Sequence, residues 1–329
     1  LARLVAEKYK TRHHEIRISF KNLLNDIEKI LYNYGEPFFD SSAIPSYYVS
    51  QAAKQHLTVV LNGDGGDEMF GGYRRYIPFT KYDFLKSGFL VKGFARTLSS
   101  MLPLPDNKKS IYSYVYRLAD FAGKDGIDSY LSATIDSFEG LEKYLKAGSR
   151  LPADIQNDFN RINQSSLSGL HKIMNLDFDN ILAGDLLVKM DIATMASSLE
   201  GRSPLLGKDI LEYAPTLPDE YKIKGKTTKF ILRKLAEKYL PGDLVNQPKR
   251  GFEIPLKKWV NNELKDMIVA YLFSANACNN NFVLPGFIKN IWDRKIKINE
   301  EKRAKIIWTF FALEVWYKKN FLEENAGIK

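Results

Sequence analysis

The run "VVLNGDGGDEMFGGY", residues 59 to 73, constrains the fold of this chain more than any other segment. Its adjacent apolar residues and paired valines predict a buried strand. The glycines that follow predict a tight exit into a helix starting near Gly65 or Gly66. Upstream, "LARLVAEKYK" and "FKNLLNDIEKILYNYG" carry apolar residues at helical spacing, and the second stops at Gly35, a residue suited to a helix C-terminus. Between them "HHEIRIS" alternates like a strand, "EPFFDSSAIP" reads as a loop, and "SYYVSQAAKQ" predicts a short helix. Helix, strand, helix, strand is the order of an α/β unit on a parallel sheet. After Tyr76 the chain reads mainly as helix joined by polar loops such as "PDNKKS" and "GSRLPADI". Residues 1–76 are therefore expected to supply the sheet part and residues 77–329 a predominantly helical part.

Glycine-rich loops after strands commonly cradle phosphates, yet this one carries Asp64, Asp67 and Glu68. Two readings stand side by side. In the first, Asp64 is a helix N-cap and the other two are first-turn acids that favour the positive helix end, worth roughly 0.5–2 kcal/mol for the cap. That reading leaves Gly63, Gly65 and Gly66 unexplained, because three glycines cost backbone entropy that a cap does not require. In the second, something large approaches the backbone closely, and a hard cation reconciles carboxylates with phosphate. Mg²⁺ is commonly held by one or two carboxylates plus substrate phosphate oxygens. Ligands of open α/β sheets also sit beyond the carboxyl ends of strands, which is where this loop lies.

Bulk properties narrow the field. One cysteine, Cys278, excludes an internal disulfide, fits a reducing, cytoplasmic setting, and reads as a buried idle thiol. The net charge of +9 is spread along the chain. Its modest cluster from Lys289 to Lys305 lacks aromatic interleaving and reads as a solvated helix face rather than a nucleic-acid surface. No run reaches the ~18 apolar residues of a membrane span.

Farther along, "FDNILAGDLLVKMDIATMASSLEGRSPLL" predicts a long apolar helix whose small residues Ala183, Gly184, Ala193, Ala196 and Ser197 suit close packing. On it, Lys189 and Asp191 are either a structural ion pair or part of a site wall. Glu200 and Arg202 bracket a turn and are expected to form an internal ion pair. "KIKGKTTK" gathers cations near a helix start, an anion site in miniature. The tail "AKIIWTFFALEVWYKKNF" is a strongly apolar helix that must pack on the body or on a partner, leaving a homodimer open.

At these residues the chain resembles the glutamine-hydrolysing asparagine synthetase family. "LNGDGGDEMFGGY" is similar to that family's S-G-[DE]-G-[GS]-D-E-x-F-x-G-Y loop. "FFDSSAIP", "DLLVKMDIATMASSLEGRSPLL", "GKTTKFILRKLAEKYLP" and "PKRGFEIPLKKW" resemble four further family motifs in the family's order. The resemblance implies the C-terminal synthetase domain, with a partial parallel sheet of the PP-loop ATP pyrophosphatase (adenine nucleotide alpha hydrolase-like) type. It implies ATP and Mg²⁺, aspartate as acceptor, and ammonia released from glutamine by a separate N-terminal domain. In the family's reaction ATP converts the aspartate side chain to β-aspartyl-AMP and pyrophosphate, and ammonia then displaces AMP.

Residue by residue, the resemblance implies nucleotide contact at Asn62, Gly63, Gly65 and Gly66, with Asn62 standing where the family often has serine. It implies acyl-adenylate and ammonia chemistry at Asp64, Mg²⁺-pyrophosphate binding at Asp67, and a pyrophosphate contact at Lys229. Asp40, Ser41, Ser42, Lys189 and Arg202 are candidates to border the amino-acid substrate, although an arginine found near Asp40 in some members is absent here. His13 and His14 match an "HHE" feature and read as structural. The family's S-G-G-x-D-S phosphate loop and its glutaminase cysteine do not occur in the 329 residues. A partial synthetase, inactive as this piece alone, is therefore expected. Related amide-forming enzymes acting on another carboxylate, and a non-catalytic remnant, are the alternatives.

Overall fold

The computed structural model describes residues 2–15, 20–81, 88–102, 111–124, 128, 130–131, 134, 137–138, 140–146, 153–247 and 254–323. The chain divides into two compact units that alternate along the sequence. The first comprises Leu1–Ile18, Val49–Phe94 and Asn157–Gly251, and the second Ser19–Tyr48, Ala95–Gln156 and Phe252–Lys329.

The first unit holds a parallel sheet, as the α/β order predicts, but the partner strand comes from residues 200–202, in the part expected to be helical, and not from residues 1–76. Strand β1 (Val59–Leu61) pairs in parallel with β2 (Glu200–Arg202), in the register Val59 with Glu200 and Leu61 with Arg202. Two further expectations change here. Glu200 and Arg202 do not bracket a turn but are the two ends of β2. Their ion pair exists at 2.8 Å, yet both side chains are more than half exposed, so it is a surface pair worth ~0–1 kcal/mol rather than an internal brace. Nor is β1 buried: Val59 is 39% and Leu61 68% exposed, because β2 is its one partner among the described residues. "HHEIRIS" forms no strand over His13–Glu15, and its remainder lies outside the described residues. His14 instead stacks on His56, ring centroids 4.3 Å apart.

Beneath the glycine loop, Met69 and Phe70 pack with Ala214 and Leu217 against Leu205, Leu206 and Ile231. Asp177, fully buried, accepts from the Tyr76 hydroxyl at 2.5 Å and pairs with Arg75 at 2.8 Å. A buried carboxylate is tolerable when it is paired and hydrogen-bonded in this way.

The long helix is continuous but changes pitch: α over Gly169–Asp177, π over Phe178–Leu186, and α again over Leu187–Met195. Close packing by its small residues is not what the unit shows. Ala193 is buried, but Ala183, Gly184 and Ala196 are exposed, and a Cβ on Gly184 would meet nothing within 4 Å. Lys189 is buried and Asp191 is exposed.

Lys222 is a buried cation not singled out by sequence. It is 2% exposed, and its Nζ lies 2.9 Å from His171 Nε2, with Asp219 nearby. Burial lowers its ammonium to about 8, against attraction from Asp219. The folded value lies below the unfolded one, so the cost is fully present below pH ~8 and disappears as pH rises toward ~10.5. Lys222→Met is therefore expected to stabilise the protein at pH 7 by about 3 kcal/mol, an advantage that shrinks above pH ~8. Urea unfolding of both proteins across that pH range checks the magnitude and the sign.

The second unit is organised by the apolar tail. In the Glu300–Tyr317 helix, Ile306, Ile307, Trp308 and Phe311 are buried against Leu23, Ile27 and Ile30 of the Phe20–Tyr32 helix and against Trp259 and Val260. Trp308 and Trp316 donate to the carbonyls of Phe39 and Gly35, each at 2.9 Å. Gly35, three residues past the end of the Phe20–Tyr32 helix, takes a left-handed conformation, φ 69°. Buried Glu314 accepts from the backbone of Cys278 and Asn279 at 2.9 and 2.7 Å. Burial, reinforced by Glu314, pushes the Cys278 thiol up to about 12, so it is inert. Within the basic cluster, Lys289 and Lys295 are solvated, but Arg303 is buried on Glu300. Residues 248–253 of "PKRGFEIPLKKW", "PDNKKS" and most of "GSRLPADI" lie outside the described residues. Among the described residues no helix is long and apolar enough to cross a membrane.

Candidate functional site

The site is built at the carboxyl end of β1, within the first unit. Asn62 extends the ladder by donating its backbone N–H to the Arg202 carbonyl at 2.9 Å. Its side-chain oxygen accepts from Ser203 Oγ at 2.5 Å and from the Asp64 N–H at 3.3 Å. The loop is thus tied to the exit of β2 before it turns. The N-cap of the Gly66–Phe70 helix is Gly65, φ 81°, with no side-chain cap, so Asp64 does not serve as one.

The three glycines have different causes. A Cβ on Gly65 would lie 2.6 Å from Leu206 Cγ, and one on Gly66 would lie 2.8 Å from Leu205 Cδ1. Packing inside the protein accounts for both, where a close external approach was expected. Gly63 alone faces open space, with nothing within 4 Å of its missing Cβ. Glu68 turns inward, 2% exposed, and accepts from the Tyr73 hydroxyl, while the Arg75 guanidinium stacks 4.5 Å from the Tyr73 ring centroid.

Two carboxylates remain. Asp64 Oδ2 is buried and accepts no hydrogen bond. Burial raises the Asp64 carboxyl above its ordinary range, and the nearby positive charge of buried Lys189 pulls it partly back. Asp67 Oδ1 pairs with Lys229 Nζ at 3.0 Å. Lys229 is not in a first helical turn, as expected, but is the residue before it. It caps the Phe230–Ala236 helix in the left-handed region, φ 51° and ψ 40°. A bulky residue held there is strained by about 1–2 kcal/mol. Its N–H donates to the Gly71 carbonyl at 3.3 Å, joining the two loops. Arg233 steadies the second loop by donating to the carbonyls of Thr228 at 2.9 Å and Gln247 at 3.1 Å, and to that of Val245.

Asn62, Gly63, Asp64 and Asp67 therefore share one loop, which Lys229 reaches at Asp67, while Lys189 is the cation that bears on Asp64. Arg202 lies beside them in sequence order on β2 but turns its charge to solvent and Glu200. Asp40, Ser41 and Ser42 belong to the second unit. There Asp40 accepts from the N–H and hydroxyl of Ser42 at 2.9 and 2.7 Å, at the start of the Ala43–Lys54 helix. Among the described residues no three His, Cys, Asp or Glu side chains converge to hold a metal unaided. The loop offers two carboxylates, Asp67 paired with the Lys229 ammonium and Asp64 near Lys189. That suits a cation arriving with phosphate oxygens of its own better than a bare ion. Gly72, Ser203 and Arg233 carried no role in the sequence; the first two meet partners distant along the chain, Lys229 and Asn62, and Arg233 meets carbonyls 5 to 14 residues away.

The family model described as asparagine synthase matches residues 1–318. Glutamine-hydrolyzing asparagine synthetase 1 of Bacillus subtilis is 29% identical over 309 residues, 92% of this chain and 47% of the relative. A Mycobacterium tuberculosis protein given the name glutamine-hydrolyzing asparagine synthetase provisionally is 27% identical over 321 residues, 95% of this chain and 47% of the relative. The chain spans about half the length of these curated relatives.

Proposed function

Because the chain belongs to the asparagine synthase family, we propose that it contributes the synthetase reaction: ATP-dependent activation of the aspartate side-chain carboxylate, followed by amidation with ammonia drawn from glutamine. In this reading the carboxylate oxygen attacks the α-phosphorus of ATP and pyrophosphate leaves. Ammonia then adds to the acyl carbon of β-aspartyl-AMP, loses a proton, and AMP departs.

The observation that carries the proposal is the pairing of Asp67 with Lys229 on the loop that also carries Asp64, a carboxylate with a buried and unpartnered oxygen. Lys229 would meet phosphate oxygens, and Asp67 would meet Mg²⁺. When bound, Mg²⁺ would neutralise charge on the phosphates. Asp64, its carboxyl raised by burial, is suited to take the proton that attacking ammonia must lose. Asn62 holds the loop on β2 so that the backbone at Gly63 stays open to the nucleotide.

Pyrophosphate release by the full-length protein, with ATP and ammonia and with aspartate compared against glutamate and sugar acids, tests the acceptor. Release dependent on aspartate supports the reading. Release dependent on a different acid reassigns the chain to a related amide-forming enzyme.

A further inference from the structure

The Asp67–Lys229 pair depends on a residue that has no side chain. A Cβ on Gly72 would overlap Asp67 Oδ1 and Lys229 Cε, and would lie 2.6 Å from Asp67 Cγ. These are the movable ends of two side chains, not backbone. The Gly72 N–H also donates to the Asp67 carbonyl at 2.8 Å, which fixes it against the same turn. Neighbouring Gly71 is different. It ends the Gly66–Phe70 helix at φ 68°, and its missing Cβ faces Ile223 Cγ1 at 3.0 Å, so its role is helix termination and packing.

We infer that Gly72 is a positioning residue for the phosphate-binding pair: its empty side holds the space in which the Asp67 carboxylate and the Lys229 ammonium meet. A methyl group there leaves the backbone able to fold, since the clashing atoms can swing away, but it drives the carboxylate and the ammonium from the point where each would meet a magnesium-bound phosphate. The functional half of this inference rests on the synthetase reading above; the crowding around Gly72 does not.

The test uses Gly72→Ala in the full-length protein, alone and combined with Lys229→Ala, Asp67→Ala or both, with magnesium pyrophosphate as the probe in calorimetric titration. The single variant is expected to keep its melting midpoint within a few degrees, to bind magnesium pyrophosphate at least about tenfold more weakly, and to leave the aspartate KM within about twofold. In the Lys229→Ala background the further loss is expected to fall below about threefold, because the pair is already broken. Unchanged affinity in Gly72→Ala, or an equal loss in both backgrounds, overturns the inference. If Gly72→Ala fails to fold, the triple variant Asp67→Ala/Gly72→Ala/Lys229→Ala decides: recovered folding supports the crowding by the pair, and continued failure overturns it. If the wild-type protein binds no magnesium pyrophosphate, the synthetase reading fails. The melting comparison between Gly72→Ala and the triple variant then still decides whether Gly72 makes room for the pair.

Discussion

Asp64→Asn is expected to lower amide formation by about 10²- to 10⁴-fold, the usual contribution of a positioned general base. The amide occupies nearly the same volume as the carboxylate, so packing of the loop is kept. What disappears is the capacity to accept a proton. The same substitution is expected to stabilise the fold at neutral pH. Burial raises the Asp64 carboxyl above its unfolded value, so ionisation in the folded state is unfavourable. The favourable, protonated condition is present at low pH and is lost as pH rises through the folded value. Asparagine cannot ionise and avoids that loss. Loss of amide formation with a raised melting midpoint separates a chemical role from a structural one. A variant that loses both activity and stability contradicts the assignment.

Lys229→Gly is expected to reduce pyrophosphate-forming turnover by about 10²- to 10³-fold, the range seen when one preorganised charge donor is removed from developing phosphate charge. Stability is expected to change little. The left-handed backbone at residue 229 costs a lysine about 1–2 kcal/mol and costs glycine almost nothing. Against that relief stands the loss of a partly exposed ion pair worth ~0–1 kcal/mol. Steady-state kinetics beside thermal unfolding reads both effects. A large fall in melting midpoint with turnover intact would assign Lys229 to the architecture instead.

The strained backbone at Lys229 has a local cause. A glycine would serve the helix start better, and the lysine is kept in place by its contacts: the N–H on Gly71, the ammonium on Asp67, and the Arg233 clamp on the preceding carbonyl of Thr228. Strain of this kind persists only where surrounding structure over-determines it.

What the sequence made legible follows the range of the interactions involved. The glycine loop, the helix after it and the end of the Phe20–Tyr32 helix near Gly35 are local, set by residues a few positions apart. β2 was not legible, because Glu-Gly-Arg has neither alternation nor β-propensity and becomes a strand only by pairing with the distant β1. The exposure of β1 was hidden for the converse reason: its apolar residues fit a covered strand, whereas the described sheet supplies a single neighbour. Asp64 as a cap was the cheapest local explanation, and it gave way because Gly65 takes the capping position in a left-handed conformation. At the site, residue types pointed to Asp64, Asp67 and Lys229. The meeting of the latter two across Gly72 joins segments that no periodicity relates.

If the loop and its lysine serve the proposed reaction, a carboxylate oxygen attacks the α-phosphorus of ATP. Aspartate labelled with ¹⁸O in its side-chain carboxylate, turned over by the full-length protein with ATP and ammonia, tests it most directly. The expected result is one ¹⁸O atom in the AMP released, with unlabelled pyrophosphate. Label in inorganic phosphate alongside ADP, or AMP formed without label, would contradict it.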